Sequence, residues 1–316
     1  MKYYIGVDIG GMSIKAGVVD ENGVILSKKT CVTRATEKCE TIVRDIYELC
    51  LETVAAAGLT QDDVTAVGMG SPGTVNSEKG IITFAGNLNF HNANVVKEFR
   101  KLWKIKTVVN NDANCAALGE AKFGAAKGVK NLVFVTLGTG IGTGYVIDGK
   151  IFLGQRGEGA EGGHICIKMG GEKCTCGEKG CWEAYASATA LIRQTEMAMK
   201  KHPESLMNEI VAEKGKIDGT IPFEAYKKGD KTAEKVVKTY VKYVATGIVT
   251  NINIFRPEVI SIGGGVSNAG DEFIKMIAKE AKKHAFGRKV NKMPLIVKAQ
   301  LGNDAGIVGA AAPVMD

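Results

Sequence analysis

The stretch GVDIGGMSIKAGVVDENGVI (residues 6–25) decides the fold. It reads as an apolar strand, a glycine turn, a second strand, a D-E-N-G turn and a third strand. The same theme returns as FVTLGTGIGTGYVIDGKI (residues 134–151). Val7 then matches Val135, Gly10 matches Gly138, Val18 matches Val146 and Asp20 matches Asp148. After a two-residue gap, Gly23 matches Gly149 and Ile25 matches Ile151. One internal repeat at so wide a separation indicates duplicated lobes. A solenoid would repeat about every 20–50 residues.

Working outward, the three opening strands are YYIGVDI, SIKAGVV and GVILSKK, and a helical pattern follows from about Glu37 to Ala57. VTAVGMG (64–70) and KTVVN (106–110) read as further strands, and a helix begins near Asp112. The second half is mostly helical. A long pattern from Asp230 to Phe255 stops before Arg256-Pro257, where proline forbids continuation. PEVISIGGG is a strand entering a glycine loop. Residues 268–286 read as a helix, PLIVKA (294–299) as a strand, and Ala305 onward as a last helix. Strands alternating with helices predict α/β layering, and no low-complexity linker separates the halves.

The chain has 316 residues, which suits two lobes, and 45% of them are hydrophobic, enough for a sizeable core. No apolar run reaches the length of about 18 residues that a membrane span needs. MKYYIGVDIGG has no apolar signal stretch or small-residue cleavage site, so a cytoplasmic protein with reduced thiols is expected. The formal charge of +7 comes from basic residues interspersed with acids. That makes a solvated surface able to attract an anionic substrate, with no nucleic-acid stripe.

Three glycine loops follow apolar strands: D-I-G-G-M-S (8–13), L-G-T-G-I-G-T-G (137–144) and I-G-G-G-V-S (262–267). Glycines let backbone N–H groups approach an anion, so two such hairpins can clamp a polyphosphate. There is no G-x-x-x-x-G-K-[ST], which excludes a P-loop enzyme. The 138–144 run misplaces the third glycine of a dinucleotide fingerprint. In N-N-D-A-N-C (110–115), Asp112 is either a helix N-cap or a general base, and Asn111 beside it suits a polyol hydroxyl. Glu161 and Glu183 bracket EGGHICIKMGGEKCTCGEKGCWE (161–183), which holds four of the eight cysteines. A disulfide framework fits poorly with a reducing compartment, and C-x-C spacing is unlike a C-x2-C finger. Were 164–166 a strand, Cys166 would share a face with His164 and compete as a ligand. Otherwise it is a small buried residue, as expected for Cys31, Cys39, Cys50 and Cys115.

Taken together, D-x-G-G, N-D-A-N, L-G-T-G-I-G, E-G-G-H, C-T-C-G-E-K-G-C-W-E and G-G-G-V-S resemble the ROK family of sugar kinases over essentially the whole chain. Within that family the likeness is greatest to bacterial ATP-dependent glucokinases. The resemblance implies a two-lobed actin/hexokinase-like (ribonuclease H-like) α/β fold with a cleft between lobes. It places residues 1–114 plus 303–316 in a smaller lobe and 115–302 in a larger one. It implies transfer of the ATP γ-phosphoryl group to the 6-hydroxyl of glucose, with Mg2+ and a homodimer or homotetramer. Asp112 becomes the base. Asn111, Glu161, His164, Glu183, Asn87 and Gly73 become sugar contacts. Asp8 helps place Mg2+, while Gly10, Gly11, Met12, Ser13, Thr139 and Gly140 hold phosphates. Gly263, Gly264 and Gly265 lie near the adenosine. His164, Cys174, Cys176 and Cys181 hold one structural zinc ion, with Gly177 and Gly180 letting the chain turn tightly around it.

Two departures stand out. The family's D-x-G-G-T has Met12 in place of threonine, which removes a hydroxyl donor, and G-N-L-N-F (86–90) lacks the tryptophan of related glucokinases. Kinases for N-acetylmannosamine, fructose or allose therefore remain alternatives. A sugar-responsive repressor of this fold would place a helix-turn-helix before the D-x-G-G strand, and here that strand begins within five residues of Met1.

Overall fold

Apolar runs rich in Ile and Val form the opening strands of the computed structural model, which describes residues 1–315, and the first two are buried along most of their length. Strands β1 (Tyr3–Ile9), β2 (Ser13–Asp20) and β3 (Ile25–Val32) make an antiparallel meander. Helix α1 (Cys39–Ala56) returns the chain to β4 (Val64–Ser71), parallel to β1. Next come the short strands β5 (Thr74–Asn76), β6 (Ile81–Ala85) and β7 (Phe90–Ala93), a small sheet of their own that the sequence pattern did not reveal. Helix α2 (Val95–Leu102) leads to β8 (Lys106–Asn111), parallel to β4, and α3 (Asp112–Phe123) follows directly.

The repeat then opens with β9 (Leu132–Leu137), β10 (Ile141–Ile147) and β11 (Lys150–Ile151). Helices α4 (Glu183–Ala186), α5 (Ala188–Lys201), α6 (Leu206–Lys214), α7 (Ile221–Lys227) and α8 (Lys231–Phe255) come next. Then follow β12 (Val259–Gly263), α9 (Asp271–His284), β13 (Leu295–Lys298) and α10 (Ala305–Ala311). α8 ends at Arg256, whose φ of 43° is left-handed, one residue before Pro257.

The repeat is one of topology. The first sheet runs β3-β2-β1-β4-β8 and the second β11-β10-β9-β12-β13. Counted in chain order within each sheet, both read third, second, first, fourth, fifth. The fold is mixed α/β of the actin/hexokinase-like class.

The chain divides into two units. One is Met1–Phe134, Gly144–Ala160 and the chain from Ala299 onward, and the other is Val135–Thr143 with Glu161–Lys298. All of α3 lies in the first unit, so the expected lobe boundary at 114/115 falls inside that helix. In the first unit, alternation along β1 sends Ile5, Val7 and Ile9 to a core shared with Ile42, Ile46 and Leu49 of α1. Tyr4 goes to the opposite face, against Ile307 and Ala311 of α10. Gly6 and Asp8 share Tyr4's face by the same period. In the second unit, Trp182 is fully buried, and its indole N–H donates to the Tyr243 carbonyl at 2.9 Å.

α10 rests on the sheet almost backbone to backbone. A Cβ on Gly6 would overlap the Ile307 carbonyl oxygen, and one on Gly68 would overlap the Ala310 carbonyl oxygen. Gly68→Ala should therefore lower stability by about 1–3 kcal/mol or more, as overpacking a tight core does. A denaturant midpoint unchanged from the parent would show that α10 can shift outward without loss.

Candidate functional site

In the first unit, register brings the chemistry to one end of the sheet. Asp8 of β1 pairs with Gly70 of β4, and Gly70 with Asn110 of β8. These are carboxyl ends of parallel strands, where open α/β sheets bind ligands. The Asp8 carboxylate lies 3.5 Å from the Lys15 ammonium and against Gly306 in the first turn of α10. Asp112 follows β8 as the first residue of α3. The cap of that helix is Asn111, whose amide oxygen accepts from the N–H of Ala113 at 2.9 Å and of Asn114 at 3.2 Å. Asp112 is thus not the N-cap. It stands in the first turn of the helix, where its Oδ1 accepts from the Ala113 N–H at 2.8 Å. The buried Cys115 thiol, one turn on, is raised by desolvation and then by the charges of Asp112 and Asp8. Both carboxylates therefore act on one small volume.

Asn111 also donates its side-chain N–H to the Gly73 carbonyl at 3.0 Å. Its amide thus has three protein partners, which leaves one N–H and little acceptor capacity for a sugar. The loop at 10–13 is closed by the Gly10 N–H donating to the Ser13 carbonyl at 3.0 Å. Thr33 fastens it from outside: its hydroxyl donates to the Gly10 carbonyl at 2.7 Å and its N–H to the Met12 carbonyl at 3.0 Å. Met12 is 88% exposed, so its side chain contributes nothing to holding the loop. Asn87 sits beside this loop, its amide nitrogen 2.9 Å from where a Gly11 Cβ would stand. Thr33 carried no motif. Only the β2–β3 register, which sets Ser13 opposite Val32, puts it at the loop.

The second unit gathers the other predicted residues. His164, Cys174, Cys176 and Cys181 offer ligand atoms that all lie within 4.8 Å of one another. His164 Nδ1 is 3.6 Å from Cys174 Sγ, and Cys176 Sγ is 3.6 Å from Cys181 Sγ. Zinc–sulfur bonds of about 2.3 Å at tetrahedral angles give sulfur–sulfur edges near 3.8 Å, so the set fits a zinc ion. Burial raises Cys174 and pushes Cys181 up to about 12, while the Glu178 N–H lowers Cys176. A dication would reverse the two raised thiols. Because Nδ1 faces the sulfurs, Nε2 is left for another partner. Gly177 and Gly180 have φ of 98° and 88°, turns that β-carbon residues resist.

Gly162–His164 form a 3-10 turn, so Cys166 does not share a strand face with His164. Cys166 is exposed and lies outside the four-residue group, contrary to both expectations for it. Cys50 and Cys115 are buried as expected, whereas Cys31 and Cys39 are only partly so.

Glu183 links this knuckle to the second glycine loop. Its Oε2 accepts from the Ile141 N–H at 2.9 Å and its Oε1 from the Thr175 hydroxyl at 2.9 Å. A Cβ on Gly140 would strike that carboxylate. Neither Ile141 nor Thr175 was marked by the sequence, since their roles depend on a contact 42 residues long in one case. The Thr139 carbonyl accepts from the Thr189 hydroxyl at 2.8 Å. Glu161 has its carboxyl raised by desolvation, an effect opposed by the His164 imidazole and reinforced by Glu183. Gly264, at φ 81°, packs on the backbone of Leu137, which brings the 263–265 loop beside the 137–142 loop. Gly263 ends β12, and Gly265 opens a short 3-10 turn.

With this geometry in place, the relatives can be compared. A family model described as "ROK family" matches residues 4–316. A glucokinase of Thermotoga maritima is 37% identical, covering 99% of this chain and 97% of its own. The crystal structure of a ROK family glucokinase from Streptomyces griseus in complex with glucose and AMPPNP superposes with TM-score 0.82 at 36% identity, covering 98% of both chains. A ROK family transcriptional regulator, a homologue of the E. coli MLC protein, gives TM-score 0.87 at 26% identity and covers 99% of this chain but 77% of that one.

Two outcomes are expected. Asn111→Ala removes the cap of α3 and should cost about 1 kcal/mol of stability, with 0.5–2 as the range; an unchanged melting curve would contradict the capping role. Cys176→Ser should abolish stoichiometric zinc in elemental analysis while the far-UV spectrum persists, and full zinc retention would contradict the ligand set.

Proposed function

The chain belongs to the ROK family, and we propose that it is a sugar kinase that transfers the γ-phosphoryl group of ATP to the 6-hydroxyl of glucose. The observation that carries this reading is the placement of Asp8 and Asp112 at the carboxyl ends of β1 and β8, beside a glycine loop. Phosphoryl transfer needs little covalent chemistry from the protein. It needs a base for the hydroxyl proton, a carboxylate for the metal and N–H donors for phosphate oxygens. The relatives point the same way, since glucokinases match this chain and their own over nearly full length at 36–37% identity. The regulator's higher TM-score shows that fold alone does not separate kinase from repressor, so the argument stays with the site.

In this reading Asp112 accepts the proton of the sugar hydroxyl as the phosphoryl group arrives. The N–H groups of Gly10 to Ser13 and of Thr139 and Gly140 hold the phosphates, and Asp8 offers an oxygen ligand to Mg2+, which neutralises phosphate charge when bound. Met12 supplies only its backbone to this cradle. The 263–265 loop borders the adenosine. Glu161 and His164 Nε2 orient sugar hydroxyls, and Asn87 and the last N–H of Asn111 are the first unit's candidates for sugar contacts. Glu183 splits its capacity between the sugar and the Ile141 N–H, so it also sets the shape of the phosphate loop. Gly73 acts through its carbonyl as a rest for Asn111. His164, Cys174, Cys176 and Cys181 would hold a zinc ion with four protein ligands, and its contribution would be structural, fixing the loop that carries Glu161 and His164.

The reading is tested by ADP release with Mg-ATP and a panel of glucose, mannose, fructose, allose, N-acetylglucosamine and N-acetylmannosamine. Glucose should lead. Preference for another hexose would keep the mechanism and reassign the sugar contacts of residues 73–90, and no turnover with any sugar would overturn it. Asp112→Asn should lower kcat by about 10²–10⁴-fold with the fold intact, the range of general-base contributions. A near-parental rate would remove Asp112 from that role.

A further inference from the structure

The knuckle contains a fourth thiol, Cys166, that neither the metal set nor the sugar reading employs. Its backbone pairs with Cys181 in an antiparallel bridge. The hydrogen bonds on either side of that bridge run from the Trp182 N–H to the Ile165 carbonyl, 2.8 Å, and from the Ile167 N–H to the Gly180 carbonyl, 2.9 Å. Those bonds belong to the neighbours of Cys166 and Cys181, so the two cysteines form a non-hydrogen-bonded pair. In such a pair the Cα atoms approach to about 4.5 Å and the side chains leave the same face. A disulfide requires a Cα separation of about 4.4–6.8 Å, so this pair falls within range. The Cys166 sulfur leans toward the opposing segment, 3.9 Å from the Lys179 carbonyl and 3.1 Å from where a Gly180 Cβ would stand.

Exposure divides the labour between the two. Cys166 is open to solvent, whereas Cys181 is buried. Of the exposed thiols in the knuckle, Cys176 belongs to the metal set and Cys166 does not. A bound metal shields its thiolates, which leaves Cys166 as the sulfur that a small oxidant meets first.

We propose that Cys166 is a hydroperoxide-reactive site that dismantles the metal knuckle by forming a disulfide with Cys181. In the first step the Cys166 thiolate attacks one peroxide oxygen. The O–O bond breaks, a sulfenic acid forms and hydroxide leaves. In the second step the Cys181 thiolate attacks the Cys166 sulfur. The S–S bond forms, the S–O bond breaks and a second hydroxide leaves. Two thiolates, one hydrogen peroxide and two protons become one disulfide and two waters. The metal then keeps three ligands of four, and the turn bearing Glu161 and His164 loses its anchor. A thiol reductant with zinc reverses the change. The inference rests on the ligand set and the bridge, and not on which sugar is phosphorylated.

The sequence makes the test clean, because trypsin separates the sulfurs. Cys166 lies in peptide 157–168, Cys174 and Cys176 in 174–179, and Cys181 in 180–193. Zinc-loaded protein is treated with hydrogen peroxide, alkylated without reduction, digested and weighed, while a metallochromic dye follows zinc release. The expected product joins 157–168 to 180–193, and its formation keeps pace with zinc release. Cys166→Ser should bind the same zinc and release it at least about tenfold more slowly under peroxide. Cys166→Ala gives the same reading should the serine variant fold poorly. A product joining 174–179 to 180–193, a sulfinic acid at Cys166 with zinc retained, or equal release from parent and Cys166→Ser would each overturn the proposal. The linked-peptide readout needs neither sugar nor ATP, so its failure is distinct from failure of the kinase reading.

Discussion

The close seat of α10 on the first sheet is the constraint from which the first unit's chemistry follows. Gly6 and Gly68 leave no side chain between the strands and the helix backbone, and Gly119 of α3 meets Gly309 of α10 in the same way. Three elements are thereby locked together: β1, whose last residue but one is Asp8; α10, whose first turn abuts Asp8; and α3, which begins at Asp112. A wider gap would separate the Asp8 carboxylate from Asp112 by a layer of side chains. Glu120, fully buried in α3, reinforces the lock by accepting backbone N–H bonds from Ala125, Gln300 and Leu301. A buried carboxylate is tolerable when its lone pairs are filled in this way.

The second unit solves a different problem. Residues 161–183 contain little regular structure, so burial alone cannot fix them. A small apolar cluster around Cys174, Cys181 and Tyr185 is supplemented by polar ties. His164, Cys174, Cys176 and Cys181 converge within the loop, Trp182 plugs it into the helical layer through α8, and Glu183 ties it to the Ile141 N–H. One carboxylate thus reads the state of both the knuckle and the glycine loop. The redox proposal follows from the same economy, because a loop held by few bonds is undone by breaking one of them.

Much of this was legible before any coordinates. Short apolar runs bounded by turn residues gave β1, β2 and β4, and proline after Arg256 gave the end of α8. The 6–25 and 134–151 echo indicated duplication, and the structure adds that the two sheets share one strand order. The grouping of His164, Cys174, Cys176 and Cys181 was anticipated from the resemblance, and the four side chains do converge. Other features were not legible. β5 to β7 are too short to display a period. The cap at Asn111 could not be told from one at Asp112, because both residue types cap equally well. Thr33, Thr175 and Ile141 matter through strand register and long-range contacts that no local window contains.

By itself, then, the sequence determined which residues are chemically equipped: glycines for close backbone approach, carboxylates for protons and cations, thiols and an imidazole for a metal. These are properties of residue types and short spacings. The tertiary structure alone decided which of them are committed to holding the fold. It made Asn111 a helix cap, turned Nδ1 of His164 toward the sulfurs, bound Glu183 to Ile141 and set Cys166 opposite Cys181. The physical reason is that a side chain has few hydrogen-bonding positions, and packing decides which of them are already filled.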